Sequence, residues 1–342
     1  MRPEGVPPLV FVGGTGRSGT HVVAKLLGRA RRLEDVTMEV RFHVDPGGFP
    51  DLLAGRISKE RFLRRLRGFW WRRYRGGGRP PDILPWLSLG REPRGLFKIV
   101  PEERFKAATE RFEREFDRNP DAACRNLYYD LLWHRVTDAG ADALVEMTCD
   151  SAAQAPVLAR IFPEAKFVHV VRDGRDASAS RVRQGRHLLY PRTRVQGIRW
   201  WEDRVRRIEG AFDQLPEDRT VTINLDLLVQ QRPRRKGMKK LLEFVGLTKG
   251  RRVRRYFQRT ISPEHGNVGR WRRGLSERRQ RRVLAEYEAA LERLERDGAR
   301  SAPLLREVFE SEAKLAAKGP PPEPMTLPEE PTPEPAAVKR PS

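Results

Sequence analysis

Leu9-Val-Phe-Val-Gly13-Gly-Thr-Gly-Arg17-Ser-Gly-Thr20-His-Val-Val-Ala-Lys-Leu-Leu27 is the stretch on which the fold turns. Leu9 to Val12 is an apolar run with the length and β-branched content of a buried strand. Gly13, Gly14, Gly16 and Gly19 then interrupt it, and Val22, Val23, Leu26 and Leu27 recur at helical spacing. Strand, glycine-rich turn and helix in that order make an anion site. The first helical turn leaves backbone N–H groups free to face a ligand, and the macrodipole favours negative charge there. Glycines, having no side chain, let the backbone come close. The stretch therefore predicts a phosphorylated nucleotide at the tip of the first strand.

Three kinds of loop fit the pattern. A Walker A loop, Gly-x4-Gly-Lys-Ser/Thr, needs its lysine for the outer phosphates and its hydroxyl for magnesium. Gly14 and Gly19 have that spacing, but Thr20 and His21 stand at the two required positions, which argues against a standard ATPase or GTPase. Gly14-x-Gly16-x-x-Gly19 also fits a dinucleotide fingerprint, with Glu34, Asp35 and Glu39 near the acidic position, so an NAD(P)-binding Rossmann-type oxidoreductase is the alternative. In the third form Arg17 is the cation within the loop, and Ser18 and Thr20 are hydroxyl donors. That form resembles the 5'-phosphosulfate loop of sulfotransferases that use 3'-phosphoadenylyl sulfate (PAPS).

With 342 residues the chain can bury a sizeable core, as one large domain or two small ones. Its 68 Lys+Arg against 46 Asp+Glu give a net charge of +22. Such a balance suits an anionic partner: nucleic acid, anionic lipid, sulfated glycan or a polyphosphate cofactor. Arginine is spread along the whole chain, however, and a general arginine coat explains the charge equally well. Cys124 and Cys149 are too few and too isolated for a disulfide framework or a zinc site. Met1 to Pro8 is a short lead-in with Pro and Glu, and no run approaches the ~18 apolar residues of a membrane helix. A cytoplasmic protein is expected.

Further along, Asp35 to Val40 is a candidate second strand, ending in Glu39-Val-Arg41-Phe-His43 at the carboxyl end where ligands bind in open α/β sheets. Residues 46–93 read as an insertion on the acceptor side. It carries a basic amphipathic helix around Lys59 to Arg67, then Phe69-Trp-Trp-Arg-Arg-Tyr74 and the glycine-proline stretch Gly76 to Pro81. Its aromatics and arginines suit either an acceptor-binding lid or a helix packed on the core. Phe69 to Trp86 is where acceptor contacts are expected. Leu144 to Thr148 and Lys166 to Val171 are further strands. The second of these enters Arg172-Asp-Gly-Arg-Asp-Ala-Ser-Ala-Ser180, a second strand–turn–helix unit able to bind an anion through Arg172 and Ser180. Thr220 to Asn224 is a short strand leading into Leu225-Asp-Leu-Leu-Val229. Ser276 caps a long helix to Arg296. Residues 301–318 form a C-terminal helical segment, and 319–342 a proline-rich tail expected to be disordered.

Over Leu9 to about Leu294 the chain resembles PAPS-dependent sulfotransferases, in ordered matches. Gly13 to Thr20 is similar to the 5'-phosphosulfate loop in its arginine form, seen in bacterial and tyrosylprotein members. Phe167 to Ser180 resembles the 3'-phosphate motif. Thr220 to Val229 resembles the strand and acidic segment before the penultimate helix. Asn267 to Arg273 resembles the Gly-x-Trp-basic loop that closes over the nucleotide. The resemblance implies a three-layer, P-loop-like α/β fold with a central parallel sheet, residues 9–300 forming one sulfotransferase domain. It implies PAPS as donor, adenosine 3',5'-bisphosphate as product, and a hydroxyl-bearing acceptor such as a sugar, glycolipid or small metabolite. Nucleotide contacts fall to Gly14, Thr15, Gly16, Arg17, Ser18, Gly19, Thr20, His21, Arg172, Ser180, Gly269, Arg270 and Trp271. Glu39 takes the place of the general base, with His43 as an alternative, and Arg17 stabilises the leaving group. No metal is expected, and a nucleic-acid partner is the less favoured account of the positive charge. The chain departs from the family pattern at His21, where a second threonine is usual. It also departs at Met147, in a region where some relatives place a lysine, and at Asn224, where tyrosine is usual.

Overall fold

The structure is a computed structural model that describes residues 8–72, 94–184, 190–230, 235–247, 250–261 and 268–316. The glycine-proline stretch at Gly76, the aromatic segment beyond Arg72, Asn267 and the proline-rich tail lie outside them.

Strands β1 (Leu9–Gly14), β2 (Leu33–Asp35), β3 (Ala143–Glu146), β4 (Lys166–Val171) and β5 (Thr220–Asn224) form one sheet in the order β2-β3-β1-β4-β5. Every neighbouring pair is parallel, with β1 held between β3 (Phe11 opposite Glu146) and β4 (Gly14 opposite Val170). The helices are α1 (Thr20–Leu27), α2 (Phe49–Leu53), α3 (Lys59–Arg65), α4 (Glu102–Glu115), α5 (Pro120–Asp138), α6 (Ala155–Ile161) and α7 (Gly174–Gln184). They continue as α8 (Arg194–Phe212), α9 (Leu225–Gln230), α10 (Arg235–Phe244), α11 (Arg251–Thr260), α12 (Glu277–Arg296) and α13 (Ala302–Ala316). The fold is thus a three-layer α/β arrangement on a parallel sheet.

Strand periodicity explains why β1 is apolar at every position. Side chains alternate between faces, and a parallel sheet is covered on both. Leu9 and Phe11 pack with Leu127 and Leu131 of α5, Leu158 of α6 and Phe212 of α8. Val10 and Val12 pack on the opposite side with Val23 and Leu26 of α1, Leu241 of α10 and Phe257 of α11. Each such fully buried Val, Leu or Phe contributes about 1.5–3 kcal/mol relative to exposure. A third apolar group ties α7, α8, α12 and α13 together through Ala177, Trp201, Tyr287 and Leu305.

Two local expectations change. The second strand covers Leu33–Asp35, not Asp35 to Val40. Val36 N still reaches Val145 O at 2.9 Å, but Val40 N and Arg41 N bond to the side chains of Glu146 and Thr148, so the chain leaves the sheet before Glu39. In the stretch expected to be an acceptor-side insertion, Phe62 and Trp70 are buried in the first core, with the Trp70 indole N–H donating to Asp45 at 3.1 Å. Trp71 lies against Phe105 with ring centroids 4.0 Å apart. The described part of this segment therefore turns its aromatics inward, onto the core.

Candidate active site

The chain moves from β1 to β2 and β3 on one side of the sheet, then returns to β4 and β5 on the other. The order reverses between β1 and β4, and in open α/β sheets ligands occupy the crevice outside the carboxyl ends at such a switch. A cavity of about 1060 Å³ opens there. Thr15, Gly16, Arg17, Gly19, Thr20 and His21 line it from the first loop, Arg172 and Ser180 from the second, with Glu39, Arg41 and Arg270 completing the wall. Gly14 and Ser18, both buried, do not line it.

The first loop has an unusual backbone. Gly16, Arg17 and Gly19 have φ of 81°, 62° and 94°. Arg17 accepts this left-handed conformation despite its Cβ, at a cost of order 1–3 kcal/mol. Gly14 has no room for a side chain, because a Cβ would collide with the Ser18 hydroxyl and the Val170 carbonyl oxygen. Ser18 is fully buried, and its hydroxyl has no hydrogen-bond partner among the described residues. A buried hydroxyl left unsatisfied in a loop of left-handed backbone fits an anion as the missing partner.

The second loop meets the first directly. Arg17 Nε donates to Ser180 Oγ at 2.9 Å, bridging residues 163 positions apart in the chain, and Arg172 reaches the Arg17 carbonyl oxygen at 3.5 Å. Arg172 is seated between Asp226 at 3.6 Å and Asp176 at 3.7 Å. Asp226 also accepts from Asp173 N at 2.7 Å, joining the β4 and β5 tips. Asn224 accepts from Asp226 N at 2.8 Å and Leu227 N at 3.1 Å, capping α9. That contact is a physical reason for asparagine at this departure from the family pattern.

Asp176 accepts from the backbone N–H groups of Gly269 and Trp271, each at 2.8 Å, and so fastens the Gly-Arg-Trp loop to α7. Trp271, expected at the nucleotide, is instead a core residue: its indole is fully buried with Trp201 and Tyr287, and only Arg270 of this trio reaches the cavity. Arg175, the second arginine of Arg-Asp-x-Arg-Asp, is likewise structural. It grips Asp173 and Glu312 and sits over the rings of Trp271, Tyr287 and Phe309. Burial, then repulsion from Asp173, pushes the Asp176 carboxyl up to about 7 against the pull of Arg172. Burial also raises Asp226 to about 6, with Arg172 opposing and Asp173 adding.

Across the cavity stands Glu39, its side chain 26% exposed. Cys149 Sγ donates to its Oε1 at 3.4 Å, His21 Nε2 lies 3.8 Å from the same oxygen, and Arg41 is 3.8 Å from Oε2. Burial alone would raise this carboxyl, but His21, Arg41 and Cys149 together bring it below its ordinary value. Burial pushes the Cys149 thiol up to about 12, with Glu39 adding, so the thiol stays protonated as a donor. His43, the alternative base, faces away. It is fully buried, stacks on Phe11, and bonds to Ser151 at 3.0 Å and approaches Glu146 at 3.3 Å. Met147 is a fully buried member of the α1-side core and offers the cavity no cation.

Several lining residues carried no motif. Arg204 pairs with Asp150, and Arg181 lies over the Tyr190 and Trp200 rings at 3.6 and 4.8 Å. Arg181 and Arg204 belong to arginine-dense helices in which one arginine looks like another. Glu146 and Asp226 had a legible signal, since each is an acid set among apolar residues at a strand's carboxyl end.

The "Sulfotransferase family" model matches residues 8–250 of the chain. No curated protein matches it. Among solved structures, the sulfotransferase domain from the Synechococcus PCC 7002 olefin synthase is 17% identical, covering 84% of this chain and 97% of its own, with a TM-score of 0.45. The sulfotransferase STF9 from Mycobacterium avium is also 17% identical, covering 83% of this chain and 76% of its own, with a TM-score of 0.41.

Proposed function

The chain belongs to the sulfotransferase family, and from that premise we propose that it transfers a sulfuryl group from PAPS to a hydroxyl on a sugar, glycolipid or small metabolite. The observation that carries this is the 2.9 Å contact between Arg17 and Ser180, which sets two anion-binding loops side by side at the switch point. A donor with a 5'-phosphosulfate and a 3'-phosphate needs two such loops in one cavity. A dinucleotide needs only the first. The unsatisfied Ser18 hydroxyl and the close-approach backbone at Gly14 support an anion on the first loop. Arg172, held by two carboxylates next to Ser180, supports one on the second.

When bound, PAPS supplies an activated sulfuryl group and a leaving group that carries its charge away. The residues divide the remaining work. Glu39, ionised at neutral pH and open to the cavity, takes the acceptor proton as the acceptor oxygen–sulfur bond forms and the sulfur–phosphate oxygen bond breaks. Arg17 and the amides of the first loop neutralise charge on the departing phosphate oxygen. Arg172, Ser180 and Arg270 hold the 3'-phosphate end.

The test is turnover: incubation with PAPS and panels of sugar, glycolipid and small-molecule hydroxyl acceptors, scored for a sulfated product and adenosine 3',5'-bisphosphate. Both products in equal amount are expected. Failure to consume PAPS with any acceptor, together with no affinity for the bisphosphate, would sink the proposal.

A further inference from the structure

Resting on that reading, we infer that Glu146 is a positioning residue for the reaction: from the buried tip of β3 it holds Val40 directly and Arg41 through Thr148, and so sets Glu39 and Arg41 on the cavity wall. Glu146 is fully buried in a strand whose other residues, Ala143, Leu144 and Val145, are apolar. Every group around its carboxylate can donate. Oε1 accepts from Thr148 N at 2.8 Å, from the Thr148 hydroxyl, and from Val40 N at 3.4 Å. Oε2 accepts from Ser151 Oγ at 3.0 Å and lies 3.3 Å from His43 Nε2. The Thr148 hydroxyl, which donates its hydrogen bond to Glu146, accepts from Arg41 N at 3.3 Å.

These bonds have a directional consequence. In a continued strand the amides of Val40 and Arg41 would pair with backbone. Glu146 and Thr148 capture both, so the chain departs from the sheet and Arg41 takes φ 70°. Glu39 and Arg41 then both line the cavity, while His43 turns inward onto the same carboxylate. One buried acid thus orders both the segment bearing the proposed base and the cation beside it. A base displaced by about 1 Å loses on the order of 10²-fold in rate, which makes this anchorage a requirement of the chemistry as well as of the fold.

Four variants separate positioning from mere stability. Glu146→Gln puts an N–H where only acceptors fit. Thr148→Val removes the link to Arg41, and Thr148→Ser keeps it. Ser151→Ala removes a Glu146 contact that touches neither Val40 nor Arg41. Turnover is read as bisphosphate released from PAPS with water as acceptor, alongside KM for PAPS, Kd for adenosine 3',5'-bisphosphate, and amide exchange at Val40 and Arg41. The expected result is a kcat lowered roughly 10- to 100-fold in Glu146→Gln and Thr148→Val, with KM and Kd within about twofold of wild type. The Val40 and Arg41 amides should exchange faster, Thr148→Ser should recover most of the rate, and Ser151→Ala should stay near wild type. Should Glu146→Gln fail to fold, the Thr148 pair carries the test. Wild-type kcat in Thr148→Val, or an equal loss in Ser151→Ala, overturns the inference while leaving the sulfotransferase reading intact. A wild-type protein that neither binds the bisphosphate nor consumes PAPS instead defeats that reading, and the inference with it.

Discussion

Arg17 joins the two halves of the cavity with one side chain, its backbone in the first loop and its guanidinium on Ser180 of the second. Opposite it, Glu39 combines exposure to the cavity with three neighbours that favour its charged form. Glu39→Gln keeps the shape and removes the proton acceptor. Sulfated product should fall by ~10²–10⁴-fold, with bisphosphate affinity, measured calorimetrically, within about twofold of wild type; a variant that still turns over would move the base role elsewhere. Arg172→Ala removes a charge-assisted contact worth about 1.5–3 kcal/mol, so bisphosphate Kd should rise roughly ten- to a hundredfold. Adenosine 5'-phosphate, which has no 3'-phosphate, should bind the variant and wild type alike, and an equal loss for both nucleotides would place Arg172 outside any 3'-phosphate site.

At the scale of elements, the strand tips do the work, and the acids that brace them leave a pH signature. Asp176 and Asp226 are raised to about 7 and about 6 from an ordinary value of 3.8. Between roughly pH 4 and 7 the native state therefore holds more protons than the unfolded chain, so this contribution to stability is full at low pH and declines as pH rises through that window. Glu39, Glu146 and Asp173 are shifted downward, and their losses come at more acidic pH. Buried His169, held down to about 3, acts in the opposite sense below its ordinary 6.5, so the melting temperature of the free protein should fall from about pH 6.5 to pH 8, and Asp176→Asn should flatten that slope; an unchanged slope would contradict the assignment. Asn224→Ala should cost about 1 kcal/mol through loss of the α9 cap, read as a lower denaturation midpoint without a change in m-value.

At the scale of the molecule, the strand–turn–helix units at β1 and β4 were legible because an apolar run, a polar or glycine-rich turn and helical spacing follow one another there, whereas the parallel sheet as a whole was an expectation from the family resemblance. Gly14-x-Gly16-x-x-Gly19 was legible from local backbone demands alone, as a turn whose Gly16 and Gly19 take positive φ. Arg172 and Ser180 were legible for the same reason, as a second strand-to-helix turn. Trp271 was not, since a loop tryptophan next to arginines has the same local signature whether its ring covers a ligand or fills the space between α7, α8 and α12. His43 and Glu39 likewise sit four residues apart, and nothing local tells which faces the cavity. That choice is made by Glu146, more than a hundred residues away, through bonds to Val40 and Thr148 that no local pattern encodes.

If one cavity holds two anions of one nucleotide, paired titrations of the wild-type protein with adenosine 3',5'-bisphosphate and adenosine 5'-phosphate must give different affinities. The bisphosphate should bind at least tenfold more tightly, corresponding to about 1.4 kcal/mol or more from the second site. Equal affinities, or a preference for NADPH over both, would contradict it.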